Sequence, residues 1–340
     1  MTDDLLGLGD APKRRPRASS GRVSMAQVAA RAGVSGQTVS RVVNDSPRVD
    51  PDTRTRVEKA MDELGYRPHR AARALRTGRS QTIGLVVTTL ATVGNSRMLQ
   101  ATAEAAAERG YALTLVTASN GVAAAFQSLA EQEVDGAIVL NEASAQVATT
   151  QRPRGLRLVV VDAQTDAGFV AVHSDHAGGA ASATAHLISL GHSTVHHLAG
   201  PVDSFAAAER ERGWRETLVA AGLAAPVPIR GDWSAESGYA AGEALAAASA
   251  VFCANDQMAL GLLRALAERG RRVPEDVAVI GFDDVPDAAN YRPPLTTIRQ
   301  DFTALAHRAV DALVAEIEGA DAASGPVVVP TLLVERASTR

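Results

Sequence analysis

The chain has 340 residues and a formal net charge of −4, which hides an uneven distribution of charge. Residues 11–80 carry 16 Lys or Arg and 6 Asp or Glu, whereas residues 81–340 carry 18 basic and 29 acidic side chains. The length exceeds that of one hydrophobic core and predicts two or three domains, and the charge split predicts a polyanion partner for the small basic module only.

The composition excludes several classes of protein. Cys253 is the only cysteine, so no intrachain disulfide can form, and we predict a small core residue there rather than a catalytic thiol. The sequence has no run of about 18 apolar residues, which excludes a membrane-spanning helix. Residues 1–21 begin acidic and lack the apolar region of a secretory signal. We therefore expect a cytoplasmic protein without a membrane partner.

The same residues 1–21 are predicted to form a disordered tail. The tail contains a basic cluster made of Lys13, Arg14, Arg15 and Arg17. Two interpretations of this cluster remain open, because it can contact DNA phosphates or simply be a solvated run of charge.

Residues 22–67 are predicted to form a three-helix DNA-binding domain. Ser24 is a suitable N-cap for a first helix that ends at Gly33, and Ser35 is a suitable N-cap for a second helix that ends near Asn44. Two helices joined by a tight glycine-containing turn, about 20 residues in total, match a helix-turn-helix.

The exposed face of the second helix indicates base recognition. Gln37 and Arg41 lie one helical turn apart and share a face near the N-terminal end, where a recognition helix contacts base edges. Gln suits adenine and Arg suits guanine. A third helix, capped by Asp50 and ended by Gly65, completes the bundle. A bundle with a merely solvated face would explain this packing but not the local positive charge, so we predict DNA binding.

Residues 68–81 are predicted to form a hinge helix and linker. The segment is basic and rich in Ala, and Leu75 stands among Arg70, Arg73 and Arg76. A helix ordered by DNA would insert Leu75 into a minor-groove base step while the arginines contact phosphates. A plain linker is the alternative, although this composition is unusually favourable to a helix.

Residues 82–340 alternate between short apolar strands and Ala-rich helical segments. This alternation predicts an α/β body of two lobes, each with a parallel sheet covered by helices. Ligands of such folds bind beyond the carboxyl ends of the strands. The predicted strands are IGLVV, ALTLV, DGAIVL, LVVVD, STVHHLAG, AVFCAND and VAVIGFDD, and the pattern ends in PVVVPTLLVER.

Polar residues follow three of these strands. Asp162, Asn255 and Asp283 each stand at a strand's carboxyl end, and although any one of them can be a loop cap, three of them predict a shared cleft. Carboxylate, guanidinium and amide groups bond sugar hydroxyls, and aromatic rings cover the apolar face of a sugar. The predicted sugar site is completed by Arg210, Trp233, Gln300 and Phe302.

Signatures of catalysis or metal binding are missing from the sequence. It contains no P-loop, no HExxH and no GxGxxG placed after a strand. His196, His197 and the other histidines lack metal-ligand spacing with carboxylates or cysteines, so they are predicted to be core or surface residues. We expect no enzyme activity, no cofactor and no metal. A periplasmic sugar-binding protein would share the two-lobed body but not the basic headpiece.

Two segments, VSMAQVAARAGVSGQTVSRVVN and TRTRVEKAMDELGYRPHRAARALRTGRS, resemble the headpiece and hinge of the LacI/GalR family of bacterial repressors. The resemblance implies that the second helix lies in the major groove and that Leu75 intercalates at the operator centre. An aromatic residue of galactoside-responsive members occupies the position of Gly36 and contacts the operator, so a different half-site is expected here. The implied base contacts are Gly36, Gln37 and Arg41, and the implied phosphate contacts are Ser35, Thr38, Ser40 and Asn44.

The body resembles the galactoside-responsive members of the family in the segments LGHSTVHHLAGP, GDWSAESGY, ANDQMALG and GFDDVPDAANYRPPLTTIRQDF. The resemblance implies a repressor of sugar-utilisation genes that a galactoside-like inducer releases. A nucleobase-responsive repressor of the same family is the alternative. The implied ligand contacts are Asp162, Arg210, Asn255 and Asp283 to hydroxyls, Trp233 and Phe302 against the sugar, Gln300 in the wall and Thr88 in the inducer-side loop.

The sequence also departs from the galactoside-responsive members. Ala206 and Ala208 stand where those members have polar and basic groups, and residues 242–254 form a shorter segment. No Leu-heptad helix of the tetramerising kind follows the last strand, so we expect a homodimer. A two-fold dimer requires a pseudo-palindromic operator.

Overall fold

The computed structural model describes residues 23–44, 46–66, 78–163, 169–320 and 325–340. The chain divides into two compact units, residues 1–76 and residues 77–340. Among the described helices, none has the length and apolar character needed to traverse a lipid bilayer.

The first unit contains three described helices with the predicted caps. The side chains of Ser24, Ser35 and Asp50 each accept a hydrogen bond from a backbone N–H in the first turn of the helix that follows. Gly33 and Gly65 end their helices with φ values of 66° and 65°, which a glycine adopts without a steric penalty. The helices are α1 (Met25–Ala32), α2 (Gly36–Val43) and α3 (Pro51–Leu64).

The core of the first unit takes one fully buried valine from each helix. Val28, Val39 and Val57 have no exposed surface, and Tyr66 packs beside them after α3 ends. Full burial of such a side chain stabilises the fold by about 1.5–3 kcal/mol. The apolar spacing in the sequence therefore identifies the inner face of each helix.

The second unit is built from strands and helices that alternate as predicted. The described strands are β1 (Thr82–Val87), β2 (Ala112–Thr117), β3 (Gly136–Leu140), β4 (Arg157–Val161), β5 (Val170–Ser174), β6 (His196–Ala199), β7 (Ile229–Arg230), β8 (Ala250–Cys253), β9 (Ala278–Asp283), β10 (Thr296–Gln300), β11 (Val327–Val329) and β12 (Thr331–Val334). The described helices are α4 (Val93–Glu108), α5 (Val122–Glu131), α6 (His176–Ser189), α7 (Phe205–Ala220), α8 (Ala235–Ala240), α9 (Asp256–Glu268) and α10 (Phe302–Glu318), with 3-10 segments at Asn141–Thr149 and Pro286–Asn290.

The strands form two six-stranded sheets, one in each lobe. The first sheet has the order β11-β5-β4-β3-β1-β2 and all its pairs are parallel. The second has the order β12-β10-β9-β8-β6-β7, and its pairs are parallel except for the antiparallel pair of β10 and β12. The two-lobed α/β fold predicted from the sequence is confirmed.

The chain crosses between the lobes after β5, after β10 and after β11. The final segment, PVVVPTLLVER, is therefore two strands in different sheets, separated by Pro330, which has no N–H to donate to a ladder. The Asp175 N–H donates to the Val329 carbonyl at 2.8 Å, and the Thr331 hydroxyl donates to the Asp175 carbonyl at 3.2 Å. The crossing after β5 and the crossing after β11 are thus hydrogen-bonded to each other.

Helices cover both faces of each sheet. Helices α4 and α10 pack on one face of the first sheet and α5 on the other. Helix α9 packs on one face of the second sheet, and α6 and α7 on the other, where Trp214 is fully buried. Cys253 has no exposed surface, and burial raises the pKa of its thiol, so the predicted core role is confirmed.

Candidate DNA interface and effector cleft

Helix α2 presents Gln37 and Arg41 to solvent on one face. Both residues are exposed, whereas Val39 and Val42 on the opposite face are buried against α1 and α3. The exposed pair lies in the part of the helix that follows the tight turn, as in a recognition helix.

Gly36 is not required by the fold of the first unit. A Cβ atom built at this position meets no other atom within 4 Å, and the residue begins α2 with an ordinary helical backbone. A larger side chain therefore fits at residue 36 in this unit by itself. The reason for a glycine lies outside the packing of the three helices.

The four residues assigned to phosphate contacts also bond to one another. The Thr38 N–H donates to the Ser35 Oγ at 3.1 Å, and the two hydroxyls lie 3.0 Å apart. The Asn44 Nδ2 donates to the Ser40 carbonyl at 2.5 Å and to its Oγ at 3.3 Å. These bonds fix both ends of α2, and the phosphate contacts stay a prediction. The hinge assignments to Arg70, Arg73 and Leu75 lie outside the described residues.

Seven of the eight predicted ligand residues line a single cavity between the lobes. The cavity measures about 50 Å³ and receives side chains from the carboxyl ends of strands in both sheets. Thr88 does not line this cavity. Its hydroxyl lies 3.4 Å from Oε2 of Glu142, and Glu142 is a lining residue. The seven are Asp162, Arg210, Trp233, Asn255, Asp283, Gln300 and Phe302.

Four of the cavity residues adopt a left-handed backbone conformation. Asn141, Asp162, Trp233 and Asp283 have φ values of 47°, 54°, 75° and 115°, although none is glycine. A non-glycine residue in this region costs about 1–3 kcal/mol and is found most often at binding and catalytic sites. These conformations therefore support the cleft as a candidate binding site.

A buried hydrogen-bond network begins at Asp162. His176 Nε2 lies 2.8 Å from Asp162 Oδ1, and His176 Nδ1 faces the Arg210 guanidinium at 3.3 Å. Because a guanidinium only donates, Nδ1 must accept and Nε2 carries the proton. Burial alone would raise the pKa of Asp162, but the electrostatic interaction and hydrogen bond with His176 and the charge of Arg210 hold it below its ordinary value.

Arg210 occupies the centre of this network. Its guanidinium lies 3.6 Å from Asp283 Oδ1, 3.8 Å from the centroid of the Phe282 ring, and donates to the Ala254 carbonyl. Burial lowers the pKa of Arg210, and nearby Asp283 and Asp162 oppose that change. Burial also raises the pKa of Asp283, against the charge of Arg210 and a hydrogen bond of 2.6 Å from Gln300. Arg210 is thus a buried charge that contacts several protein groups and also lines the cavity.

Trp233 connects the two lobes across the cleft. Its indole Nε1 donates to Glu142 Oε1 at 3.2 Å, and its carbonyl accepts from Asn255 Nδ2 at 3.0 Å. A Cβ atom at residue 200 would lie 2.3 Å from the indole ring, so only Gly200 permits this position of the ring. The Val93 N–H donates to Gln257 Oε1 at 3.1 Å and forms a second hydrogen bond between the lobes.

Sequence reasoning missed several lining residues of the cleft, among them Asn141, Glu142 and Gln257, and it missed His176, which bonds to Asp162. Asn141 and Glu142 directly follow β3, so the rule that selected Asp162 after β4 would have found them. His176 begins α6 and reaches Asp162 only because the chain crosses between the lobes there, which no sequence signal marks. Within the described residues, no group of three or more His, Cys, Asp or Glu side chains is placed to hold a metal ion.

A helix-turn-helix unit followed by a two-lobed α/β body with a polar cleft defines a class, the DNA-binding regulators with a periplasmic-binding-protein-like domain. Residues 24–69 match the bacterial regulatory proteins of the lacI family, and residues 184–339 match the periplasmic binding protein-like domain. The chain belongs to the LacI family and is a DNA-binding transcriptional regulator.

Two similar proteins and two similar structures have been characterised. The chain is 36% identical over 328 residues to the lactose operon repressor of Escherichia coli (strain K12), covering 93% of this chain and 91% of that protein. It is 36% identical over 342 residues to the HTH-type transcriptional regulator CelR of Thermobifida fusca, covering 93% of this chain and 98% of that protein. The lac repressor dimer bound to operator and the anti-inducer ONPF superposes with a TM-score of 0.83 and 34% identity, covering 94% of this chain and 99% of that one. The CelR–cellobiose complex superposes with a TM-score of 0.70 and 34% identity, covering 93% of this chain and 100% of that one.

Proposed function

We propose that the chain is a homodimeric repressor of sugar-utilisation genes that a galactoside-like carbohydrate releases from a pseudo-palindromic operator. The observation that carries the proposal is the convergence of seven side chains, selected from the sequence for sugar binding, on one cavity between two lobes. The lactose repressor's name and the cellobiose in the CelR structure support a carbohydrate ligand, and the operator-bound lac repressor dimer supports dimerisation. A repressor acts on the chromosome, so a cytoplasmic location and a non-enzymatic role belong to the proposal.

The cavity lining suits a ligand with many hydroxyl groups. Asp162, Glu142 and Asp283 offer carboxyl oxygens, and Arg210 offers N–H donors, so adjacent hydroxyls find both acceptors and donors. The indole ring of Trp233 offers an apolar surface for the face of a sugar ring. This mixture of groups is the chemistry of a carbohydrate site.

The charge of the lining favours a neutral sugar over a sugar phosphate or a uronic acid. Three carboxyl groups and one guanidinium, that of Arg210, line the described cavity. Because the carboxyl groups outnumber the guanidinium, the lining disfavours an anionic ligand.

The size of the cavity implies that ligand entry and lobe movement are coupled. A cavity of about 50 Å³ is far below the about 300–1,000 Å³ of ordinary ligand pockets, so a sugar enters only when the lobes separate. Entry exchanges cross-lobe bonds such as Trp233 to Glu142 for bonds to the ligand. The sugar then shifts the equilibrium between lobe arrangements by its differential affinity for them, and DNA binding favours the opposite arrangement.

On the DNA side, α2 lies in the major groove with Gln37 and Arg41 against base edges. The absence of a side chain at Gly36 leaves room that an aromatic residue fills in galactoside-responsive relatives, which supports a different half-site. Leu75 inserts at the operator centre and the hinge arginines contact phosphates. Most of the affinity comes from phosphate contacts and falls steeply with added salt.

The test combines ligand screening with DNA release. Thermal-shift measurements on the full chain use lactose, cellobiose, methyl β-D-galactoside, galactose 6-phosphate, adenine and guanine. An operator duplex is selected by the protein from a random DNA pool and used in fluorescence anisotropy. Stabilisation by a neutral sugar that also releases the duplex supports the proposal. Stabilisation by a base alone establishes the nucleobase-responsive alternative, and stabilisation by galactose 6-phosphate alone contradicts the charge argument.

A further inference from the structure

A second and larger cavity opens beside the effector cleft. It measures about 470 Å³, is open to solvent, and shares Asn141 and Ser204 with the cleft. Its volume falls within the about 300–1,000 Å³ that is usual for small-molecule sites, whereas the cleft measures only about 50 Å³. We call this larger cavity the outer chamber.

One small side chain in the first turns of α7 leaves space in the outer chamber. Ala208 is exposed and lines the chamber. A long side chain at this position would extend into the space that is now open. Ala208 therefore contributes to the open space of the chamber.

The lining of the outer chamber combines aromatic surface with hydroxyl-binding groups. Phe169 and Phe205 are half-buried and present apolar surface, and Phe205 is held edge-on by His173 at 5.6 Å between ring centroids. Asp203 and Glu209 supply carboxyl oxygens, and Glu209 is also paired with an exposed arginine. In such a lining, the aromatic rings can pack on the apolar face of a pyranose ring, and the carboxylates can accept hydrogen bonds from its hydroxyl groups.

We infer that the outer chamber is a second subsite, which holds the second ring of a neutral disaccharide whose first ring occupies the cleft between the lobes. The inference rests on the proposed function and extends it from a sugar to a disaccharide or a longer glycoside. Three observations support it: the continuity of the two cavities at Asn141 and Ser204, the chamber's size, and the carboxylates that exclude an anionic extension.

The experiment compares each disaccharide with the methyl glycoside of its terminal sugar. Isothermal titration calorimetry on the full chain measures lactose against methyl β-D-galactoside and cellobiose against methyl β-D-glucoside. The variant Ala208→Trp fills the chamber, and Ala220→Trp is the matched control, because Ala220 is exposed at the far end of the same helix and does not line the chamber. Equal melting temperatures for the two variants verify that both fold.

The inference predicts that one disaccharide binds the wild type about tenfold more tightly than its methyl glycoside. Ala208→Trp then changes the affinity for that disaccharide by about fivefold or more, in either direction, while methyl glycoside binding stays within about twofold. Equal effects on disaccharide and methyl glycoside, or no effect on either, overturn the second subsite but leave the sugar site intact. Binding of none of the four sugars overturns the proposed function as well.

Discussion

The buried pair of Arg210 and Asp283 makes a quantitative prediction about stability. Their side chains are 5% and 9% exposed, with 3.6 Å between Arg210 Nη2 and Asp283 Oδ1. The substitution Arg210→Met keeps most of the side-chain volume but removes the charge and the donors to the Ala254 carbonyl and to His176. Loss of one partner leaves the other buried without compensation, which costs about 3–5 kcal/mol.

The expected loss is measurable as a melting temperature and can be partly reversed. About 3–5 kcal/mol corresponds to a decrease of about 6–20 °C for a domain of this size. Adding Asp283→Asn removes the uncompensated carboxyl, so the double variant should recover at least about 1 kcal/mol relative to the sum of the single variants. Thermal denaturation and urea denaturation followed by circular dichroism, on all four proteins, complete the double-mutant cycle.

Arg215→Met is the control for this cycle. Arg215 lies on the same helix, pairs with Glu211 at 2.7 Å and is 46% exposed, so its loss should cost only about 0–1 kcal/mol. A cost for Arg210→Met no greater than the control's, or strict additivity in the cycle, would refute the description of Arg210 and Asp283 as a coupled buried pair.

Three further predictions concern the helix-turn-helix unit and a buried histidine in the core of the second unit. Burial lowers the pKa of His197 from 6.5 to about 4, so the unfolded state binds the proton at a higher pH than the folded state does. The free energy of unfolding therefore decreases by up to about 3 kcal/mol as the pH falls from 6.5 to 4. His197→Phe should remove this loss, which urea denaturation at pH 7 and pH 4.5 measures. Gln37→Ala and Arg41→Ala should each weaken binding to the selected operator by about 1–3 kcal/mol and to random DNA much less, measured by anisotropy. Gly36→Ala should leave the melting temperature unchanged or higher while it weakens operator binding.

Each of these predictions has an outcome that contradicts it. An unchanged acid sensitivity in His197→Phe would show that another group titrates in that pH window. Equal losses on operator and random DNA for the Gln37 and Arg41 variants would remove base reading from α2. A lower melting temperature for Gly36→Ala would show that the glycine is needed by the fold rather than by the operator.

Local signals made the first unit predictable from its sequence. The caps Ser24, Ser35 and Asp50 and the stops Gly33 and Gly65 act through bonds within a few residues of themselves. Such bonds depend little on the rest of the fold, and for that reason the helix bounds follow from side-chain chemistry.

The cleft was only partly predictable because its geometry depends on packing between distant segments. Asp162 and Asp283 could be selected, since strand ends meet at one edge of a parallel sheet. The His176 partner of Asp162 could not be selected, because the crossing of the chain between the lobes brings it there. The bond between Val93 and Gln257 could not be predicted either, because it depends on contact between the lobes. The split at Pro330 shows the same limit, since one apolar run supplies strands to two sheets.

The most direct test of the account is a titration of the protein–operator complex with sugar. Fluorescence anisotropy on the selected duplex measures the operator affinity of the full chain without sugar and with saturating lactose or cellobiose, whichever binds in calorimetry. The account predicts that the bound sugar weakens operator binding by about tenfold or more, corresponding to a coupling of about 1.4 kcal/mol. An operator affinity that is unchanged or increased while the sugar is bound would contradict it.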